Sequence, residues 1–379
     1  MKFIHISDIH LGKRVNEFSM LEEQEAILGQ ILGIIDAEAP DGVLIAGDIY
    51  DKPVPPAEAV GLFDGFLASL KERRLHVFII SGNHDSPERI AFGSRIMDGA
   101  GIHLSPVYNG NVEPISMEDG FGRVNVYMLP FVKPTHVRRF FGDADISSYT
   151  DAVRTAIEAM NINAEERNVL VTHQFVTGAS LCESEEISVG GSDNVDASVF
   201  DGFDYVALGH IHGAQNCGAE RVRYCGTPLK YSFSEAKHQK SLTVVEMSEK
   251  GSLFVYTKEL TPIHGMSEIR GSFSELTDPA YFEDSAFRED YLHITLTDEE
   301  DIPDAVGRLR LIYKNLMRLD YDNRRTRSEN SLDADESIET KTAYELFAEF
   351  FEIQNGAPMS DGQSEYVREL IEKIEEEMA

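Results

Sequence analysis

Residues 1–12, MKFIHISDIHLG, contain the pattern that decides the fold of this chain. A short apolar run from Phe3 to Ile6 is followed at once by Asp8 and His10, two residue types that bind metal ions. Side chains at positions i and i+2 of an extended segment point the same way, so these two can reach one ion. The stretch therefore predicts a buried strand that carries metal ligands at its carboxyl end.

The same pattern recurs four more times along the chain. Runs rich in Val, Ile and Leu at 43–46, 77–80, 169–171 and 205–208 each lead into a polar turn. Those turns carry Asp48, Asn83, His84, His173, His210 and His212. Any one of these residues alone is as well explained as a cap or a satisfied core residue. Five such groups, each directly after a strand, instead predict one dinuclear site, because α/β proteins place their sites on the loops that follow strands.

The order of the patterns predicts several structural units. Helical patterns at 21–35 and 60–70 separate the first strands, and from about Gly110 further strands predict a second sheet packed on the first. We expect an α/β fold with a main domain at residues 1–261 and a small α+β accessory domain at 262–325. An acidic, solvated linker at 326–340 and a helical segment at 341–379 should follow.

Charge is unevenly distributed along the 379 residues. The chain has 34 Lys and Arg against 66 Asp and Glu, a formal net charge of −32, which argues against a polyanionic partner because like charges repel. However, residues 329–379 hold fifteen acidic and only three basic side chains. Within 308–327, seven basic side chains outnumber two acidic ones, and we refer to this segment as the basic cluster.

The apolar runs and the cysteines of the sequence indicate the cellular compartment. The N-terminal apolar run is broken by His5, Asp8 and His10, and no later run has the length of a membrane span. The three cysteines, at positions 182, 217 and 225, form no C-x-x-C pair and cannot all pair with one another. We therefore expect a cytoplasmic protein with reduced thiols and no membrane contact.

Taken in order, the motifs D-x-H, G-D, G-N-H-D, a later His and G-H-x-H resemble the signature of calcineurin-like metallophosphoesterases. The resemblance implies a two-sheet β-sandwich flanked by helices and two divalent ions, and it assigns a catalytic role to His84. The implied ligands of one ion are Asp8, His10, Asp48 and His212. The implied ligands of the other are Asp48, Asn83, His173 and His210, with Asp48 bridging the two ions.

Longer segments narrow the resemblance to the SbcD nuclease subunits. SGNHDSPERIAFGSR at 81–95 and GTPLKYSFSEAKHQKS at 226–241 look like that subfamily, and phosphoesterases of small molecules do not usually carry the second. The resemblance implies an Mn²⁺-dependent nuclease that hydrolyses phosphodiester bonds at DNA ends and hairpins in DNA repair, recombination and replication. It also implies a homodimer that joins an SbcC-type coiled-coil ATPase in a heterotetramer.

Two other functions stay open at this point. A phosphatase or nucleotidase could use the same metals on a small phosphoester, since metal chemistry alone does not select DNA. A non-catalytic scaffold of the same fold is the second, although the intact ligand set argues against it. The accessory domain, the basic cluster and the helical tail favour a polymeric substrate, and we expect the cluster to face DNA. Asp85 is expected to have a structural role, capping the turn that follows it.

The C-terminal segment is predicted to form two helices. Thr342-x-x-Glu345 and Ser360-x-x-Gln363 are both typical of capping boxes, and apolar residues follow each at helical spacing. Such short helices need cover for their apolar face, either on the chain's own sandwich or on another protein. The resemblance implies the second alternative, with the base of the coiled-coil ATPase as the partner.

Overall fold

The computed structural model describes residues 1–185, 193–300, 302–323, 342–355 and 358–377. Within these ranges the strands, numbered in chain order, are β1 (Lys2–Ile6), β2 (Arg14–Val15), β3 (Phe18–Ser19), β4 (Gly42–Ala46), β5 (His76–Ile80), β6 (Ile102–Leu104), β7 (Ile115–Asp119), β8 (Gly122–Leu129), β9 (Arg167–His173), β10 (Tyr205–Gly209), β11 (Gln215–Cys217), β12 (Ala219–Tyr224), β13 (Ser241–Met247), β14 (Leu253–Glu259), β15 (Met266–Gly271), β16 (Tyr291–Leu296) and β17 (Leu316–Tyr321). All five predicted ligand-bearing strands are present.

Helices connect the strands and cover the sheets. They are α1 (Leu21–Glu38), α2 (Ala57–Glu72), α3 (Pro87–Ile90), α4 (Ser94–Met97), α5 (Pro134–Arg138), α6 (Tyr149–Glu158), α7 (Phe273–Leu276), α8 (Pro279–Phe282), α9 (Ala305–Arg310), α10 (Ala343–Asn355) and α11 (Asp361–Glu377). No helix in the part of the chain that the structure describes is long and apolar enough to cross a membrane.

Two six-stranded sheets form the sandwich. The first has the order β14-β13-β1-β4-β5-β6, in which β1, β4, β5 and β6 run parallel. The second has the order β11-β12-β10-β9-β8-β7, in which β12, β10, β9 and β8 run parallel. Large apolar side chains such as Phe3, Phe78 and Tyr205 are fully buried in the layer that joins the sheets. The predicted α/β fold with a two-sheet sandwich is confirmed.

Amphipathic helices cover the outer faces of both sheets. Ile27, Ile31 and Leu67 of α1 and α2 join the core on one side, as their periodicity predicts. On the other side lies α6, which was not predicted because the sequence after Gly110 indicates mainly strands. Ser148 caps the start of this helix, and its hydroxyl accepts from the N–H of Asp151 at 3.1 Å. Its capping box is thus a start signal that was overlooked.

A small parallel sheet, β15-β16-β17, follows the sandwich, with α7 and α8 between its first two strands and α9 before its last. The sheet is tied to the sandwich through buried Glu23 of α1, which accepts from the N–H groups of Ile263 and His264 at 2.8 and 3.0 Å. The predicted domain boundaries stay predictions, and the linker at 326–340 lies outside the described residues.

Both predicted capping boxes of the C-terminal segment are formed. The N–H of Thr342 donates to Glu345 at 2.7 Å, and the N–H of Ser360 donates to Gln363 at 2.9 Å. The helices α10 and α11 begin directly after these two residues. Arg368 of α11 lies over the ring of Tyr344 in α10, with 4.4 Å from the guanidinium carbon to the ring centre. The two predicted helices are confirmed, and they contact each other.

Candidate metal centre

The candidate site lies where the carboxyl ends of strands from both sheets meet. His173 ends β9, and its Nδ1 is 2.8 Å from the carbonyl oxygen of Ala46 at the end of β4. A carbonyl oxygen can only accept, so this Nδ1 carries a proton and donates it. The N–H of His210 donates to the Asp8 carboxylate at 3.0 Å, which joins β10 to β1. The loops of the two sheets therefore hold one another in place.

A first group of potential ligands consists of Asp8, His10 and His212. One ligand atom of each lies within 4.8 Å of the other two. The Nε2 atoms of His10 and His212 are 3.2 Å apart. Two imidazole nitrogens that face each other at this distance beside a carboxylate form a donor set for a transition-metal ion.

A second group converges on Asn83. Its side-chain oxygen is 2.9 Å from His173 Nε2 and 2.9 Å from His210 Nδ1. Asp48 lies between the groups, with one carboxylate oxygen 3.3 Å from His173 Nε2 and 3.8 Å from His10 Nε2. This is the place that a bridging carboxylate would occupy, and all seven predicted ligands are in the two groups. Their role as ligands stays a prediction.

The electrostatics of the site fit a cation. The carboxyl groups of Asp8 and Asp48 are 0% and 2% exposed, and two buried carboxylates require compensating positive charge. Burial, together with the nearby Asp48, raises the pKa of Asp8. Burial lowers the pKa of His10 well below its usual range, and burial and the neighbouring His173 lower the pKa of His210 to about 3. These two imidazoles are therefore neutral, and each has a nitrogen lone pair that can bind a metal ion.

His173 differs from the other histidines. Burial alone would lower its pKa, but the attraction of Asp48 raises that pKa to about 9. The protonated ring provides positive charge next to the bridging position. Divalent ions bound there would supply that charge instead, so metal binding should release this proton.

The backbone of the site is strained. Four of the candidate ligands have positive φ angles, which are rare for residues other than glycine. The angles are 52° at Asp8, 47° at His10, 49° at Asp48 and 104° at His210. Each such conformation costs about 1–3 kcal/mol and is typical of functional sites.

Glycines in the motifs allow the strand ends to approach closely. A Cβ at Gly82 would lie 2.1 Å from a carboxylate oxygen of Asp48, and one at Gly209 would lie 1.9 Å from the carbonyl oxygen of Ala46. Side chains at these two places would push the candidate ligands apart. The glycines of G-N-H-D and G-H-x-H are thus part of the site's geometry.

His84 stands beside both groups. Its Nε2 is 3.9 Å from Asp48, and its ring meets that of His10 edge to face at 4.8 Å between centres. Its Nδ1 lies 3.1 Å from the carbonyl oxygen of Asp51, and its backbone N–H donates to Asp48 at 2.9 Å. The ring is therefore oriented with Nε2 toward the candidate metal centre.

Asp85 has a structural role, but not the predicted one. Its buried carboxylate accepts from the N–H groups of Ile49, Tyr50 and Gly82 at 3.0 to 3.1 Å. These bonds hold the G-D loop against the G-N-H-D loop. The following turn is capped by Ser86 instead, so the expected capping role of Asp85 is wrong because its carboxylate points inward. Burial and Asp48 raise the pKa of Asp85 to about 6.

Two residues that were not predicted, Gln24 and Tyr231, support His10. The side-chain amide of Gln24 donates to the carbonyl oxygen of His10 at 2.7 Å and to the hydroxyl of Tyr231 at 3.0 Å. That hydroxyl in turn donates to the carbonyl oxygen of Ile9. The only available signals were a polar residue on the buried face of α1 and the position of Tyr231 within segment 226–241.

Comparison with known proteins supports the resemblance. A family model described as calcineurin-like phosphoesterase matches residues 1–214, and one described as type 5 capsule protein repressor C-terminal domain matches residues 262–355. A curated relative from Staphylococcus epidermidis, described as the SbcD subunit of the nuclease SbcCD, is 29% identical over 381 residues. That alignment covers 99% of each chain.

Solved structures give weaker similarities. A dimetal phosphatase from Danio rerio is 12% identical, with a TM-score of 0.40, over 68% of this chain and 98% of its own. A protein from Thermus thermophilus is 11% identical, with a TM-score of 0.36, over the same shares. The family assignment therefore comes from the sequence match, which spans more than half of the chain and includes all the motifs that build the site. The chain belongs to the calcineurin-like phosphoesterase family.

Proposed function

We propose that this protein is the nuclease subunit of a cytoplasmic SbcCD-type complex. It would hydrolyse phosphodiester bonds at DNA ends and hairpins, in DNA repair, recombination and replication. The observation that carries the proposal is the alignment with the SbcD subunit of an SbcCD nuclease over 99% of both chains, which includes the accessory sheet and the C-terminal helices. A resemblance confined to the sandwich would not separate a nuclease from a phosphatase.

We further propose that two Mn²⁺ ions are the cofactors. Asp8, His10 and His212 would hold one, Asn83, His173 and His210 would hold the other, and Asp48 would bridge them. When bound, two such ions polarise a phosphoester and activate water for attack. His84 places its Nε2 beside them, oriented by the Asp51 carbonyl, and would protonate the leaving oxygen.

The experiment that tests this function compares substrates. End-labelled hairpin and duplex DNA, a mononucleotide and a small phosphodiester are each incubated with the protein and Mn²⁺, with Asp48→Ala as the inactive control. We expect cleavage of DNA and of the phosphodiester and little release of phosphate from the mononucleotide. Preferred hydrolysis of the mononucleotide would favour the phosphatase instead.

The basic cluster provides a surface for the DNA backbone. Arg308 and Arg310 of α9, Lys314 in the loop that follows and Arg318 of β17 are exposed, while Arg324, Arg325 and Arg327 lie outside the described residues. Part of this charge is already engaged, since Arg318 pairs with Asp320 at 2.9 Å. We propose that the cluster faces DNA. Neutralising Arg318, Arg324 and Arg325 should then reduce the salt dependence of DNA binding by roughly one unit of slope per lost phosphate contact.

A matched control for that experiment is Arg73→Gln. Arg73 is basic too, but it pairs with Asp36 at 2.7 Å at the end of α2 and is outside the cluster. The control should leave the slope unchanged. An unchanged slope in the triple variant would make the cluster an ordinary solvated surface.

The C-terminal helices are proposed to bind an SbcC-type coiled-coil ATPase. Four large apolar side chains of α10 and α11 stay exposed: Phe347 at 43%, Phe350 at 59%, Tyr366 at 65% and Leu370 at 43%. Exposed apolar side chains on paired helices are typical of a binding surface. The alternative, in which the chain's own sandwich covers this face, is not supported for these four side chains.

Removal of this segment tests the partner. A chain ending at Glu336 should cleave a small phosphodiester with Mn²⁺ but fail to co-purify with the ATPase, and Phe347→Glu with Leu370→Glu should do the same. Phe121→Glu is the matched control, because Phe121 is 57% exposed on a different element. Unchanged affinity of the shortened chain would show that the helices are not the docking element.

A homodimer within a heterotetramer is the proposed assembly. Phe92 and Ile96, close together around α3 and α4, are 83% and 86% exposed, an unusual exposure for two large apolar residues on one short segment. A second copy of the chain would cover them. We expect Phe92→Glu with Ile96→Glu to convert a dimer to a monomer in sedimentation equilibrium. A dimer that persists would place the contact elsewhere.

A further inference from the structure

Lys240 lies next to the candidate metal centre but is not available to a substrate. It is 5% exposed and donates to the carbonyl oxygen of His212 at 3.0 Å, to the Thr227 hydroxyl at 2.6 Å and to Glu235 at 2.5 Å. An ammonium group has three donors, and all three are used within the protein. A lysine beside a phosphoesterase site would ordinarily be taken for a phosphate ligand, and these contacts argue for another role.

Glu235 connects Lys240 to the loop around Ser184. It is fully buried, and its second carboxylate oxygen accepts from the hydroxyl of Ser184 at 2.6 Å. Its other oxygen faces the Lys240 ammonium at 2.5 Å, and a carboxylate in such an ion pair only accepts hydrogen bonds. The Ser184 hydroxyl therefore donates its one proton to Glu235.

That hydroxyl determines the tautomer of His212. The Ser184 oxygen lies 2.6 Å from His212 Nδ1. Because its own proton is given to Glu235, the oxygen must accept from this nitrogen, so Nδ1 is protonated. Nε2 then carries the lone pair, and it is the nitrogen that faces His10 Nε2 at 3.2 Å.

The backbone of His212 is held by the same network. Its N–H donates to Glu185, the residue after Ser184, at 2.5 Å. Its carbonyl oxygen accepts from Lys240 and from the N–H of Thr227 at 3.2 Å. Main chain and side chain of one candidate ligand are thus fixed by the loop at 182–185 and by segment 226–241.

We propose that Ser184, Glu235 and Lys240 are positioning residues that select the Nδ1-protonated tautomer of His212 and aim its Nε2 at one metal ion. Hydrogen-bond partners behind a histidine ligand orient the ring and raise its basicity. The proposal rests on the proposed metal-dependent function. It also gives a physical role to segment 226–241, one of the segments in which this chain resembles the SbcD subunits.

Ser184→Ala in the full chain tests the proposal. Calorimetry with Mn²⁺ alone should show that one of two sites binds roughly 10- to 100-fold more weakly, the usual effect of losing such a partner. Without metal, ¹⁵N NMR of the His212 ring should show a smaller Nδ1-protonated population. Hydrolysis of a small phosphodiester should recover at high Mn²⁺. Ser184→Thr, which keeps the hydroxyl, should restore all three, and Ser180→Ala on the same loop should change none.

Two results would overturn the positioning role, and a third would overturn the nuclease proposal alone. Unchanged Mn²⁺ affinity and an unchanged tautomer in Ser184→Ala, and likewise in Glu235→Gln, would overturn the proposal. A raised KM with normal Mn²⁺ affinity would assign these residues to substrate binding and would overturn it too. If the unmodified protein binds two ions with His212 in the expected tautomer but does not cleave DNA, the nuclease proposal fails and the positioning role stands. Thermal unfolding of Ser184→Ala beside Ser184→Thr controls for misfolding.

Discussion

Replacing His84 with Ala tests whether this side chain is a catalyst or a metal ligand. Its Nε2 is 3.9 Å from Asp48, compared with 3.3 Å for His173, and its side chain is 13% exposed where that of His173 is 0%. A proton donor at this position contributes roughly 10²- to 10⁴-fold to the rate. We therefore expect turnover to fall about a hundredfold or more, or about 2.7 kcal/mol in the barrier, while both ions stay bound.

The assay combines single-turnover hydrolysis of a small phosphodiester with elemental analysis of bound Mn²⁺. His173→Ala is the matched control, since it removes a candidate ligand of similar size and should lose metal as well as activity. Loss of an ion from His84→Ala would refute the catalytic role. It would instead show that His84 coordinates together with His10 and Asp48, whose ligand atoms lie within 4.8 Å of one another and of its own.

Three further changes test the bridge, the close approach of the strands and a partly buried ion pair. Asp48→Ala should abolish cleavage and lower Mn²⁺ occupancy at both positions, and full occupancy would contradict bridging. Gly209→Ala should prevent folding, because its Cβ would meet a carbonyl oxygen at 1.9 Å. The control is Gly29→Ala, whose Cβ would meet nothing within 4 Å. It should raise the free energy of unfolding by about 0.5–1 kcal/mol in urea titrations. A folded Gly209→Ala would refute the clash. Arg167 beside Asp119 holds the pKa of that carboxyl below its usual range, so the pair stabilises the fold above about pH 4 and this stability is lost as the pH falls further. Asp119→Asn should thus lower the melting temperature at pH 7 and reduce the loss between pH 7 and pH 3, and an equal loss would show that the pair does not contribute.

Local patterns predicted much of the fold and the composition of the site. Alternation and apolar runs depend only on neighbouring residues, so the five strands that carry the candidate ligands and the capping boxes at Thr342 and Ser360 could be identified from short windows of sequence. The helix α6 was missed although Ser148 and Asp151 form the same kind of box. Its amphipathic pattern is short and lies between strand-like segments, so the surrounding sequence indicates a sheet.

The residue types at the ends of the strands follow from the sequence alone. How they converge depends on the three-dimensional packing of the chain. The positive φ angles at Asp8 and Asp48 and the two histidine nitrogens that meet the Asn83 oxygen depend on the packing of two sheets. Likewise, the contact of Ser184 and Glu235 behind His212 joins residues far apart in the chain. A one-dimensional pattern carries no information on such contacts, because they arise only when the long-range pairing of strands brings distant loops to the same edge.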